Sequence, residues 1–256
     1  MARLRFQSTL FLLLLTSMIA VSVVVEDDVK CLKGVKGSLS DPQGKLSTWD
    51  FSNTSVGYIC TFVGVSCWKV RESRLIGLSL PTMTLSGEIP DSLQYCQSLQ
   101  ALDLSGNNLT GTIPSEICTW LPYIVVLDLS NNGLSGSIPS ELGNCSYLNT
   151  LILSNNRLSG SIPNNISNLR RLKKLSVANN DLSGSIPSFS SNYDSADFDG
   201  NSKLCGSPLG TKCSVGLSRE NIIIIVAAGV SGVLFSLLIA LSIMLFPRRP
   251  TDSTKN

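Results

Sequence analysis

Apolar and polar positions follow one fixed order over the middle of this chain. Leu102 and Leu104 flank a single residue, so both side chains fall on the same face of a short strand. Leu109 and Ile113 come next and return to the same core after a turn. A proline follows the isoleucine, and the order then begins again. The pair recurs as Ile89-Pro90, Ile113-Pro114, Ile138-Pro139, Ile162-Pro163 and Ile186-Pro187, at steps of 24 residues with one of 25. The pattern predicts a strand, a sharp turn and a return arc in each copy. One such coil cannot bury its own apolar face, so the coils must stack into a solenoid with capped ends.

The polar letters fit that geometry. Asn107, Asn132, Asn156 and Asn180 stand at one point of successive coils. A buried amide there satisfies backbone groups of neighbouring coils. Met83 replaces it in the first copy, a departure suited to a terminal coil. Gly87, Gly111, Gly136, Gly160 and Gly184 mark tight bends. The proline after each isoleucine ends any ladder and sends the arc onward. Ahead of the repeats, Val29, Leu32, Val35 and Leu39 share one helical face, Asp41-Pro42 ends the helix, and Trp49 supplies an apolar lid.

Two further apolar segments set the topology. Arg3 and Arg5, the run Phe11 to Leu15 and the small residues Ser17, Ala20 and Ser22 read as a signal peptide, cut between Ala20 and Val25. Ile222 to Phe246 carries no charge. At ~1.5 Å per residue it spans a ~30 Å hydrocarbon core. Arg248 and Arg249 behind it mark the cytoplasmic side, which leaves the repeats outside. Ala228 and Gly232 within it have the spacing that lets two helices approach closely. The chain divides into a leader (1–25), an N-terminal cap (26–74), five repeats (75–195), a C-terminal cap and linker (196–220), a membrane span (221–246) and a tail (247–256).

Composition narrows the function classes. The net charge of +2 gives no reason to expect a nucleic-acid partner. No histidine is present, which excludes Ser-His-Asp, Cys-His and His-metal sites. The reading is therefore a binding protein and not an enzyme, with no cofactor and no metal. Eight cysteines in a secreted chain imply disulfides. Cys60 pairs with Cys67 and Cys205 with Cys213, each across a short loop. Cys96 and Cys118 lie one coil apart on the outer arc, a spacing that admits a bridge. Cys31 and Cys145 are then left over, and a buried reduced thiol is the plain reading of Cys145. Asn53, Asn108, Asn144 and Asn165 begin glycosylation sequons.

A partner is expected on the concave face, beside the inward leucines. Ser79, Asp103, Asp128, Ile152 and Ser176 lie between the leucine positions, with Gly77, Ala101, Val126, Thr150 and Lys174 just before them. Val126 and Ile152 are read as exposed apolar anchors. Asp103 and Asp128, in adjacent strands, read as a solvated row and not as an acid–base pair.

The repeat resembles the LxxLxLxxNxLxGxIP unit of plant extracellular leucine-rich repeats. Trp49-Asp50-Phe51, the stretch from Gly57 to Trp68, Asp91 to Cys96, Glu116 to Pro122 and Ser176 to Gly184 are similar to one subgroup, the BAK-interacting receptor-like kinases. The resemblance implies an α/β repeat solenoid, right-handed and plant-type, with disulfide-bonded caps and a single transmembrane helix at the plasma membrane. It also implies binding to SERK-type co-receptors and restraint of immune and growth signalling. The sequence stops at Asn256, ahead of the kinase expected of that subgroup, so the resemblance is carried over for the repeats and the span alone. Two other readings are a fragment of a full receptor-like (pseudo)kinase and a solenoid inhibitor of cell-wall-degrading enzymes.

Overall fold

A computed structural model describes residues 26–53, 55–69 and 74–213. The expected leader (1–25), membrane span (221–246) and tail (247–256) lie outside the described residues. Among the described residues, no helix is long and apolar enough to cross a membrane.

The strands Leu75–Ser79, Ala101–Asp103, Val126–Asp128, Thr150–Ile152 and Lys174–Ser176 pair in parallel, one per coil. Their register follows the repeat, with Leu78, Leu102, Leu127, Leu151 and Leu175 forming one row. All five are essentially sealed from solvent. A second row (Leu80, Leu104, Leu129, Leu153 and Val177) is equally buried one step further along. Val65–Cys67 adds an antiparallel strand against Leu75–Ser79 and covers the first edge of the sheet. On the return side Ser135–Ser137, Arg157–Gly160, Asp181–Ser185 and Lys203–Cys205 form a second parallel ladder. Pro90, Pro139 and Pro163 directly precede short 3-10 turns on the arc. Each fixes the φ from which a helical turn starts.

The asparagines hold one coil to the next. In Asn180 the amide nitrogen donates to the carbonyls of Leu153 (3.0 Å), Val177 (3.0 Å) and Ala178 (3.2 Å), and its oxygen accepts from the Leu158 N–H at 2.9 Å. Asn107, Asn132 and Asn156 repeat the arrangement. Asn201 does too, donating to Val177 and Phe198 and accepting from Leu182. The amide ladder therefore continues one coil past Asn180 into the C-terminal cap. The residue before each ladder asparagine is left-handed: Asn131, Asn155 and Asn179 have φ of 55–58°, and glycine stands at 106 and 200. Asparagine and glycine tolerate that region best.

The N-terminal cap begins with a helix over 26–38, whose Leu32 and Val35 are buried. Trp49 is buried beneath it, stacked on Phe62 at 5.6 Å, and its indole N–H donates to the Val63 carbonyl. Asp28 ties the helix to the first repeat by accepting the Leu75 N–H at 2.9 Å. Only 1% of Asp28 is exposed. Burial pushes its pKa up to about 7, the Leu75 bond and Arg74 oppose that rise, and Asp27 adds to it. The folded state thus holds this proton more tightly than the unfolded chain. Stability falls as pH rises from the ordinary carboxylate range through about 7, by up to about 4 kcal/mol from this group. Asp28→Asn keeps the acceptor and removes the charge. The variant is expected to melt higher than the parent at pH 7.5 and to match it at pH 4.5, as read by thermal unfolding at both pH values.

Four disulfides are present: Cys31–Cys96, Cys60–Cys67, Cys118–Cys145 and Cys205–Cys213. The expected bridge between Cys96 and Cys118 is not formed, and Cys145 is not a reduced thiol. Cys96 instead faces the N-terminal helix. Gly34 of that helix packs so tightly on Ser92 that any side chain there would collide, which brings Cys31 to Cys96. Cys118 is left to bridge forward by one coil to Cys145. The Cys31–Cys96 bond closes a separation of 65 residues, worth about 4 kcal/mol by loop entropy.

Candidate functional site

A solenoid offers its partners the strand face and the rims beside it. The columns expected to bind do line that face. Gly77, Ala101, Val126, Thr150 and Lys174 are in one register row, and Ser79, Asp103, Asp128, Ile152 and Ser176 in another. Lys174 and Ser79 are exposed, whereas Val126, Thr150, Asp103, Asp128 and Ser176 are half-buried. Ile152 is corrected: it is 8% exposed and belongs to the buried set. Its strand is paired on both sides, with Asp128 and Ser176 beside it in register, and little of the branched side chain is left in contact with water.

Asp103 and Asp128 serve the backbone. One oxygen of Asp103 accepts both the N–H (3.0 Å) and the hydroxyl (2.6 Å) of Ser105. Asp128 holds Ser130 in the same way at 3.0 and 2.6 Å. The other Asp103 oxygen accepts from the Ser79 hydroxyl at 3.2 Å. These bonds shape the turn after each strand.

A more distinctive surface runs along the rim where the strands begin. Arg74, Ser98, Tyr123, Tyr147 and Arg171 occupy one position in successive coils, four residues before the leucines of the first row. Tyr123 is 53% exposed and Tyr147 41%. Their ring centres lie 5.8 Å apart, and the Arg171 guanidinium stands 5.1 Å from the Tyr147 ring centre. At the other end Trp68, 61% exposed, borders a groove of about 350 Å³ with Arg74, Ile76, Ser98, Gln100 and Tyr123. Exposed aromatics stacked with arginine are costly to leave in water and are typical anchors of protein interfaces. Reading for apolar residues between the leucines missed this ridge. Aligning the coils four residues earlier reveals it.

The fold is that of a capped leucine-rich-repeat solenoid whose rim leaves Trp68, Tyr123 and Tyr147 open to solvent. Residues 25–68 match the model of the leucine rich repeat N-terminal domain, and 98–120, 123–145, 147–169 and 171–193 match the leucine-rich repeat itself. Among full-length proteins, the inactive LRR receptor-like serine/threonine-protein kinase BIR2 of Arabidopsis thaliana is 63% identical over 91% of this chain. The chain spans 39% of the length of that curated relative. The crystal structure of the BIR2 ectodomain superposes with a TM-score of 0.71 at 60% identity, covering 73% of this chain and 98% of that one. A chain in the BIR3–SERK2 complex from the same plant gives 0.70 at 57% identity, covering 73% and 100%. The chain belongs to the leucine-rich-repeat receptor-like kinases and aligns with the ectodomain of their BIR members.

Proposed function

We propose that this chain is a membrane-anchored docking module that binds SERK-type co-receptor ectodomains at the plasma membrane. In doing so it restrains receptor-kinase signalling in immunity and growth. It acts by occupying a partner and not by catalysis. The observation that carries this reading is the match, at 57% identity over the whole of its length, to a chain found in a complex with SERK2. The Tyr123–Tyr147–Arg171 ridge supplies the anchors, and the half-buried Val126 and Thr150 beside it complete the surface. The apolar span at 221–246 holds the module at the membrane with the repeats outside. Glycans at Asn53, Asn108 and Asn165, all exposed, keep other surfaces clear of partners, and the exposed Asn144 sequon lies close in sequence to the ridge itself.

Calorimetric titration of the purified chain against a SERK-type co-receptor ectodomain near pH 5 tests the proposal. Micromolar or tighter binding is expected. No heat at several temperatures, with the chain shown to be folded, ends the reading.

A further inference from the structure

Of the four sequons, the one at Asn144 is built differently from the rest. Its middle residue is Cys145, buried to 2% exposure and bonded to Cys118. Asn144 ends the 3-10 turn Ser140–Asn144, and the Cys145 N–H closes that turn on the Leu142 carbonyl. The Cys145 carbonyl then accepts the Leu148 N–H at 2.9 Å, and the Ser146 hydroxyl donates to the Asn144 carbonyl at 3.3 Å. The acceptor tripeptide is thereby fixed on both sides once the disulfide has formed. Asn144 itself is exposed, and three residues after it stands Tyr147, the centre of the ridge. Three residues reach ~10 Å at most, less than the span of an oligosaccharide of several sugars.

We propose that glycosylation of Asn144 and closure of the Cys118–Cys145 disulfide compete during synthesis, and that the Asn144 glycan closes the docking ridge. The second half rests on the docking reading above. Cys118 leaves the ribosome before Asn144, so its thiol is already waiting when Cys145 emerges. Closure passes two electrons and two protons from the two thiols to a disulfide-bearing oxidant of the secretory pathway. Glycosylation joins the Asn144 side-chain nitrogen to the anomeric carbon of a lipid-diphosphate-linked oligosaccharide. The nitrogen loses one proton and the lipid diphosphate leaves. That transfer needs a mobile acceptor, so a chain that closes the disulfide first escapes it. A chain that takes the glycan first still closes the disulfide later, now with a bulky polar group beside Tyr147. Two populations result, one able to dock and one not, in a ratio set by how oxidising the compartment is.

The test uses the full chain expressed in plant cells. Glycopeptide mass spectrometry is expected to find Asn144 partly occupied in the parent. Occupancy should at least double in Cys118→Ser, with Asn165 unchanged as the internal control. Full occupancy in the parent, or equal occupancy in both chains, overturns the competition. Ser146→Thr makes a better acceptor without touching the disulfide, and Ser146→Ala removes the sequon. The occupied Ser146→Thr chain is expected to bind a SERK-type ectodomain at least tenfold more weakly than Ser146→Ala, and to recover when the glycan is removed enzymatically. Equal binding by both overturns the gate. Absence of binding by the glycan-free Ser146→Ala chain as well overturns the docking reading and the gate with it, while the competition is still read from occupancy.

Discussion

Replacing Tyr147 and Arg171 together by alanine is expected to weaken binding to a SERK-type co-receptor ectodomain roughly a hundredfold or more, a loss of about 2.7 kcal/mol or greater. The two side chains act as one unit. The guanidinium lies 5.1 Å from the ring centre and holds the tyrosine in place, while the ring lies against Tyr123. Removing either leaves the other less ordered, so the single variants should lose nearly as much as the pair. Both side chains are exposed, and the double variant should therefore unfold at the parent's temperature. Arg171→Lys separates charge from shape. A lysine keeps the positive charge but loses the flat face that stacks on the ring. If stacking carries the contact, Arg171→Lys resembles Arg171→Ala. If it binds like the parent, simple charge attraction is the cause and the ridge is not a packed anchor. Titration of the parent, the two single alanine variants, the lysine variant and the double variant reads all of this in one series.

A second large effect is expected from a change of one atom. Asn180→Asp preserves shape and still accepts the Leu158 N–H. It also replaces the donating nitrogen with an oxygen facing the carbonyls of Leu153, Val177 and Ala178 at 3.0–3.2 Å. Asn180 is 7% exposed, so a carboxylate there is both desolvated and repelled. The expected loss is about 3–5 kcal/mol at neutral pH, measured by denaturant unfolding. Part of it should return in acid, where a protonated carboxyl donates one of the lost bonds. Asn180→Ala leaves the Leu158 N–H without its partner and should cost about 2 kcal/mol. Asn168→Asp, at an exposed position, should change stability by no more than about 0.5 kcal/mol. Equal losses for Asn180→Asp and Asn168→Asp would remove the ladder from the account of stability.

What the chain's letters revealed depended on whether local chemistry decided the outcome. The coils were readable because each one spells its own strand, amide and bend, and the same spelling recurs at a fixed step. Asn201 shows the limit. It sits in a stretch, Phe198 to Asn201, that lacks the Ile-Pro mark, yet its amide makes the same bonds as Asn180. The cysteines were harder for a physical reason. Cys96, Cys118 and Cys145 all lie about one coil apart, so spacing alone does not choose between partners. The choice is made by the close contact of Gly34 with Ser92, which only the packed cap displays. Ile152 was misplaced because alternation along a strand assigns a direction but not the shielding from the strands beside it. The ridge was legible in principle, since Tyr123, Tyr147 and Arg171 keep the repeat's own step.

The placement of the disulfides also determines how the ectodomain would respond to being pulled. A chain inside a closed loop cannot lengthen, which protects 31–96 and 118–145 from stretching. The longest stretch without a covalent tie runs from 146 to 204, between Cys145 and Cys205. With the C-terminus anchored and a partner bound as proposed above, tension between them would draw its slack from there first, coil by coil, as each amide of the ladder lets go. Tyr147 and Arg171 both lie in that stretch. The grip on a partner would thus be released under load while the N-terminal cap was still intact.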